Sequence, residues 1–255
     1  FVPIAKPRKK KAGQTQLVFD SEWTEDRIQE NKFINQVRAR VKLWREGHYP
    51  GITRTTRRLL DYWTDPDREK PLFFCQIEAL ETAIYLTEAL KTTGDQWIRN
   101  DIRDANAAYN PELFRVAFKM ATGSGKTVVM AMQIAWHTLN KLANPKDDRF
   151  SDAFLIVTPG ITIRDRLRVL LPSDPNNYYR ERDVVPSYQI SDLGQAKIVI
   201  TNYHAFLPRE RVQAARLTKA ILSEGGGNAF TETPGQVVRR VCRELGTKQG
   251  IIVIN

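Results

Sequence analysis

The residues best suited to chemistry are the eight from Met120 to Thr127, Met-Ala-Thr-Gly-Ser-Gly-Lys-Thr. Gly123 and Gly125 let the backbone curl so that successive N–H groups converge on one anion. Lys126 brings a mobile ammonium for the β- and γ-phosphates of a nucleotide, and Thr127 a hydroxyl for Mg²⁺. Thr122, Gly123, Ser124, Gly125, Lys126 and Thr127 are therefore the candidate nucleotide-binding residues. Lys126 and Thr127 are the candidate catalytic residues, Thr127 is the candidate metal ligand, and ATP with Mg²⁺ is the implied cargo. A solvated Gly/Ser turn that happens to contain Lys-Thr is the plain alternative. The flanks argue against it: a β-prone run precedes the loop (Phe114 to Lys119) and a long helix-like run follows it (Val128 to Leu142). A helix starting there adds its positive end to the phosphate site. One position departs from the pattern G-x-x-x-x-G-K-[ST], because Met120 stands where the first glycine belongs.

The elements that must hold this loop alternate between strand and helix. Ala153 to Thr158 reads as a buried strand broken by Pro159-Gly160, and Ile161 to Leu171 as a helix carrying Arg164, Arg166 and Arg168. Lys197 to Thr201 is a further strand, followed by Asn202-Tyr203-His204. Thr233 caps a helix that has Pro234 at its first position and Gly246 at its end. Ile251 to Asn255 closes the chain as a buried strand. Upstream, from Leu72 onward, the apolar spacing places Leu80, Ala83, Ile84, Thr87 and Leu90 on one helical stripe, with Gln76 near its start. A polar insertion, Thr92 to Pro111, lies between that helix and the loop. Such alternation predicts an α/β fold: a parallel sheet covered by helices on both faces, with ligands at the carboxyl ends of the strands.

The first 70 residues read differently. A basic arm (Lys6, Arg8, Lys9, Lys10, Lys11) precedes a helix capped by Thr24, with Phe33, Ile34, Val37, Val41 and Trp44 on one face and Gly47 as its stop. The stretch from His48 to Lys70 holds Arg54, Arg57 and Arg58 close to Tyr62 and Trp63. Basic residues among aromatics can grip a nucleic-acid strand, but aromatics in a core under snorkelling arginines are the preferred reading.

Composition sets the outer bounds. The 255 residues carry 39 basic and 29 acidic side chains, a net charge of +10, which favours a polyanionic partner without identifying it. The two cysteines and three histidines do not cluster, which argues against a metal or disulfide framework. No apolar run approaches the roughly 20 residues that a membrane span needs, so the expectation is a cytoplasmic chain with no membrane partner. Because it starts on Phe1 rather than Met and stops on a strand-like run, the chain is expected to be a fragment at both ends.

Taken together, Phe-Phe-Cys-Gln (73–76), MATGSGKT (120–127), Leu-Ile-Val-Thr-Pro-Gly (155–160), the run 196–206 and the final Ile-Ile-Val-Ile-Asn resemble a superfamily II, DEAD/DEAH-like helicase. The chain is similar to the N-terminal portion of the helicase/translocase subunit of type III restriction enzymes. The resemblance implies a RecA-like P-loop NTPase domain over 71–255, cut before the Asp-Glu-x-His motif, behind a helical accessory segment over 1–70. It implies that Gln76 contacts adenine, although the fifty residues from Gln76 to Lys126 exceed the usual gap. It also implies that Thr158, Pro159, Gly160, Arg164, Asn202 and Tyr203 contact DNA. ATP hydrolysis driving movement along DNA is the implied activity of the whole protein, with a methyltransferase subunit as a further partner. The alternatives are a P-loop enzyme acting on a small molecule and a DNA-binding module with a vestigial nucleotide site.

Overall fold

A computed structural model describes residues 19–109, 113–209, 232–246, 248 and 250–255, with side chains described from residue 32 onward. The basic arm lies outside the described residues, as do residues 210–231, where the sequence reads as a helix from Arg209 to Glu224 followed by a glycine run. The chain forms two compact units, each discontinuous in sequence. One comprises 1–53 and 78–119, the other 54–77 and 120–255.

The first unit is helical. Helix α1 (Phe19–Glu46) begins ahead of Thr24, which therefore sits inside the helix rather than capping it. Val37, Val41 and Trp44 are buried along its inner face as expected, whereas Ile34 is exposed. Three arginines of α1 are paired within the unit: Arg38 with Glu78 at 3.1 Å, Arg40 with Asp95 at 3.4 Å, and Arg45 with the fully buried Glu81. Tyr49 donates to the same Glu81 carboxylate at 2.6 Å, so that buried charge has a cation and a hydroxyl around it. Burying a carboxylate is costly without such partners.

Glu78 and Glu81 come from a helix with a change of phase, and Asp95 from the turn that follows it. Helix α3 (Phe74–Ile84) runs into a π-turn over Tyr85–Ala89 before the short α4 (Leu90–Thr93). One extra residue per turn advances the inward face by about a third of a revolution. Tyr85, Glu88 and Ala89 are therefore buried, while Thr87, expected on the stripe, is not. The insertion expected to be polar is helix α5 (Gln96–Tyr109), and Trp97 packs edge-on against Phe33 with centroids 6.3 Å apart.

The run 114–119, expected to be a strand, joins no sheet among the described residues, and Phe114 and Val116 are exposed. Its backbone is satisfied differently. Asn106 Nδ2 donates to Arg115 O at 2.9 Å, and Arg115 N–H donates to Asn106 Oδ1 at 3.2 Å. A primary amide can replace a strand neighbour in this way because it carries both a donor and an acceptor.

The second unit is α/β. Strands β1 (Ala153–Thr158), β2 (Lys197–Asn202) and β3 (Ile252–Ile254) form a parallel sheet in the order β2-β1-β3. The burial of β1 alternates, with Phe154, Ile156 and Thr158 facing the better covered side. Helix α6 (Lys126–Ala143) lies on that side, and the His137 and Phe154 ring centroids are 6.5 Å apart. α6 is buried along most of its length from Val128 to Asn140, which fits a helix enclosed between sheet and other helices. Helix α2 (Arg54–Thr64) packs on it through neutral polar ties: Trp136 Nε1 and Asn140 Nδ2 both donate to the buried Thr56 hydroxyl, at 2.9 and 3.0 Å. Trp63 is buried with its Nε1 donating to Val184 O at 2.7 Å, so this tryptophan is core, while Tyr62 is half-buried and Arg54 and Arg58 lie at the surface. β3 was expected to be buried but is half-exposed, with Val253 50% accessible. As an edge strand it is covered on one flank only.

Between β1 and β2 the chain forms helix α7 (Ile161–Arg166), a 3₁₀ turn over Leu167–Leu170 and the short helices α8 (Tyr178–Glu181) and α9 (Ile190–Leu193). The stretch 172–186, rich in Asn, Pro and Tyr, is partly helical and anchored by Tyr179, which is buried and donates to Leu170 O at 2.7 Å. Helix α10 (Pro234–Val241) has the capping box of Thr233 and Gln236 at its start. No described helix is long and apolar enough to cross a membrane.

Candidate nucleotide and nucleic-acid site

Residues 121–126 form a tight loop that feeds directly into α6. Gly123 and Gly125 have φ of 80° and 78°, the left-handed region that side chains resist, and Gly125 is the N-cap of the helix. A Cβ on Gly125 would lie 2.1 Å from Gln76 Nε2, so glycine is required here by both conformation and space. Gly125 offers no side-chain cap; its carbonyl accepts from Val128 and Val129 N–H at 2.9 and 3.3 Å, and the N–H groups of Lys126 and Thr127 come before the first of these bonds. Lys126 Nζ folds back to donate to Ala121 O at 2.8 Å, and Ser124 Oγ donates to the same carbonyl at 2.7 Å. The ammonium therefore rests at the mouth of the loop, in reach of an anion there.

Gln76 is built into this loop. It is 4% exposed, its Oε1 accepts from Phe73 N–H at 2.8 Å, and its Nε2 donates to Ser124 O at 3.1 Å. The sequence pointed to an amide near the base; the structure adds that this amide ties the entry of α3 to the loop's backbone. Phe73 and Phe74 beside it are exposed.

This constellation fits a nucleoside triphosphate with Mg²⁺. The cradle is free of side-chain bulk at Gly123, where an added Cβ would meet nothing within 4 Å, and its donors are N–H groups and one ammonium. Among the described residues no group of three or more His, Cys, Asp or Glu side chains is placed to hold a metal. Thr127, the second residue of α6, carries the hydroxyl that would meet Mg²⁺ beside a bound nucleotide, with phosphate oxygens and water completing the shell. When bound, the ion neutralises charge on the phosphates.

A second cluster sits at the carboxyl edge of the sheet. Thr158 and Asn202 are register partners at the ends of β1 and β2, so the two strand-end segments lie side by side. Thr158 is 2% exposed, and its hydroxyl donates to Gly160 O at 3.0 Å and lies 3.3 Å from Thr201 O. What this turn offers outward is therefore the backbone of Pro159 and Gly160 rather than the threonine side chain. Gly160 is the N-cap of α7, whose Arg164 pairs with the neighbouring Asp165 at 2.9 Å while Arg166 is exposed. Asn202 Oδ1 accepts from Ala205 N–H at 3.0 Å and so caps the 3₁₀ turn Tyr203–Phe206. Its Oδ1 is engaged in that cap, and Tyr203 and His204 are left facing out, Tyr203 52% exposed.

Two residues that sequence reasoning passed over hold this turn. Arg240 on α10 donates to Ala205 O at 3.0 Å and Leu207 O at 3.2 Å, and forks onto Glu232 at 2.7 Å. The Arg240 guanidinium, with the Arg209 N–H, pulls the Glu232 carboxyl down to about 2. Nothing local to the sequence signals a clamp between positions more than thirty residues apart.

A family model described as type III restriction enzyme, res subunit, matches residues 69–224. No curated protein and no solved structure matches the chain.

Proposed function

Since the chain belongs to the type III restriction enzyme res-subunit family and carries its helicase-like, ATP-binding P-loop domain, we propose that it grips MgATP at 122–127 and DNA at the carboxyl edge of the sheet. In the protein where this domain operates, ATP hydrolysis would drive movement along DNA in a restriction-type system. The observation that carries the reading is the loop itself: two left-handed glycines, a helix start without a side-chain cap and a lysine folded over the mouth. Within the domain proposed over 71–255, Thr122 to Thr127 hold the phosphates and metal. Pro159, Gly160, Arg164 and Tyr203 are the residues proposed to touch DNA, with Thr158 and Asn202 shaping their turns.

DNA binding under this proposal is weak, indifferent to sequence and dominated by phosphate contacts. The test is a titration of labelled duplexes at rising salt. The logarithm of affinity should fall with the logarithm of salt by about 0.9 per phosphate contacted. A flat response, or strong preference for one sequence, would contradict the proposal and favour a P-loop enzyme or a dedicated sequence reader.

A further inference from the structure

The strand-end turn presents an aromatic surface that phosphate contacts do not require. The Tyr203 and His204 rings are stacked, with centroids 3.9 Å apart and planes inclined by 32°. Both residues are exposed. Four other tyrosines commit their hydroxyls to the fold: Tyr49 to Glu81, Tyr62 to Asp183, Tyr85 to Asp95 and Tyr179 to Leu170 O. Tyr203 instead turns its ring outward from a turn fixed on three sides. Asn202 caps it, Arg240 holds its carbonyls, and the pairing of Thr158 with Asn202 fixes the strand beneath. Helix α7, packed against β1 and β2, brings Arg164 and Arg166 to the same edge of the sheet.

We propose that the Tyr203–His204 stack is a shelf for an unstacked nucleobase of single-stranded DNA, which would lie on the ring face while its phosphates meet the α7 arginines. The inference rests on the DNA-binding reading above and adds a base contact to it. A base inside a duplex shows the protein only its edge, whereas a base in a single strand can offer its face to an aromatic ring. Because every base has such a face, the shelf would be tolerant of sequence. Preorganisation favours it further, since the rings already lie parallel enough to extend the stack.

The experiment compares two labelled strands of equal length and charge, oligothymidylate and its abasic counterpart, by fluorescence anisotropy at one salt concentration. The wild-type chain should prefer the base-bearing strand by between about fivefold and 150-fold, the range expected for one stacked base. Tyr203→Ala and Tyr203→Leu should both erase that preference, and Tyr203→Phe should keep it. Thermal melting of each variant checks that the fold is retained, and the leucine variant keeps the apolar bulk if alanine does not fold. Equal binding of the two strands by the wild type overturns the shelf while leaving the phosphate reading standing. A preference that survives Tyr203→Leu also overturns it. Failure to bind either strand overturns both readings.

Discussion

The two candidate binding regions of the α/β unit are built by opposite means. The loop over 121–126 is made of backbone: its shape comes from two left-handed glycines, and the one buried side chain that braces it, Gln76, arrives from a distant helix start. The strand-end edge is made of side chains that have already found partners. Thr158, Asn202 and Arg240 all bond inward, and what faces solvent is turn backbone and rings. A polyanion with several negative charges at one point suits converging N–H groups, which occupy little room and can surround it. A long strand that must be held and released suits a rigid edge contacted piecemeal. The difference predicts that substitutions will separate the two regions.

The largest separation should come from Gly125→Ala. A left-handed alanine costs about 1–2 kcal/mol, and its Cβ also collides with Gln76 Nε2, breaking the bond to Ser124. We expect MgATP affinity to fall by about a hundredfold or more, the sum of that strain and a lost buried hydrogen bond. Single-strand binding should be unchanged, as read by calorimetry and anisotropy on the same preparation. Parallel loss of both activities would show that the two regions are not independent.

His137 tests what the regions share, because its ring on α6 meets Phe154 on β1. Burial pushes its imidazole down to about 3, and its Nδ1 has no hydrogen-bond partner among the described residues. The folded pKa lies below the ordinary value, so the unfolded chain takes up the proton first as pH falls. The stability linked to neutral His137 is therefore full above about 6.5 and is lost between about 6.5 and 3. Between pH 7 and pH 5 that amounts to about 2 kcal/mol. Urea melts at the two pH values should show this loss in the wild type and a smaller one in His137→Phe. An unchanged difference between the two proteins would mean that the ring is not buried as described.

Gln76→Ala should cost about 1–2 kcal/mol in loop stability, since it leaves Phe73 N–H and Ser124 O without their partner. An effect through the loop weakens ATP and GTP alike. Any additional loss confined to ATP measures an adenine contact. The smallest change is expected from Arg240→Ala, at the solvent-exposed clamp on residues 205–207. It should reduce the preference for base-bearing strands and leave MgATP binding unaltered.

Much of the α/β unit was legible because its signals are local. The extents of α6, β1 and β2 follow their apolar runs to within two residues, and Thr233-Pro234 marks the start of α10. What was illegible depends on partners distant in sequence. Phe114, Val116 and Phe118 alternate like a strand, yet Asn106 takes up the Arg115 backbone and no strand pairing forms there among the described residues. The Thr24-Glu25-Asp26 capping signature is overridden by a helix that runs through it from Phe19. The π-turn that turns Glu88 inward instead of Thr87 has no local signature either. At the site, the motif residues could be read from spacing, but the bracing by Gln76 and Arg240 could not. Those contacts exist only once the chain has folded.

The central claim is that Lys126 and the glycine loop form a working phosphate site. Calorimetric titration of MgATP into the wild-type chain and into Lys126→Ala tests it most directly. The lysine is exposed and its hydrogen bond is to Ala121 O, so its removal should leave the melting temperature within error. A charge-assisted contact to phosphate contributes about 1.5–3 kcal/mol, so affinity should fall between about tenfold and 150-fold. Equal MgATP affinity in the two proteins, with the fold intact in both, would contradict the account.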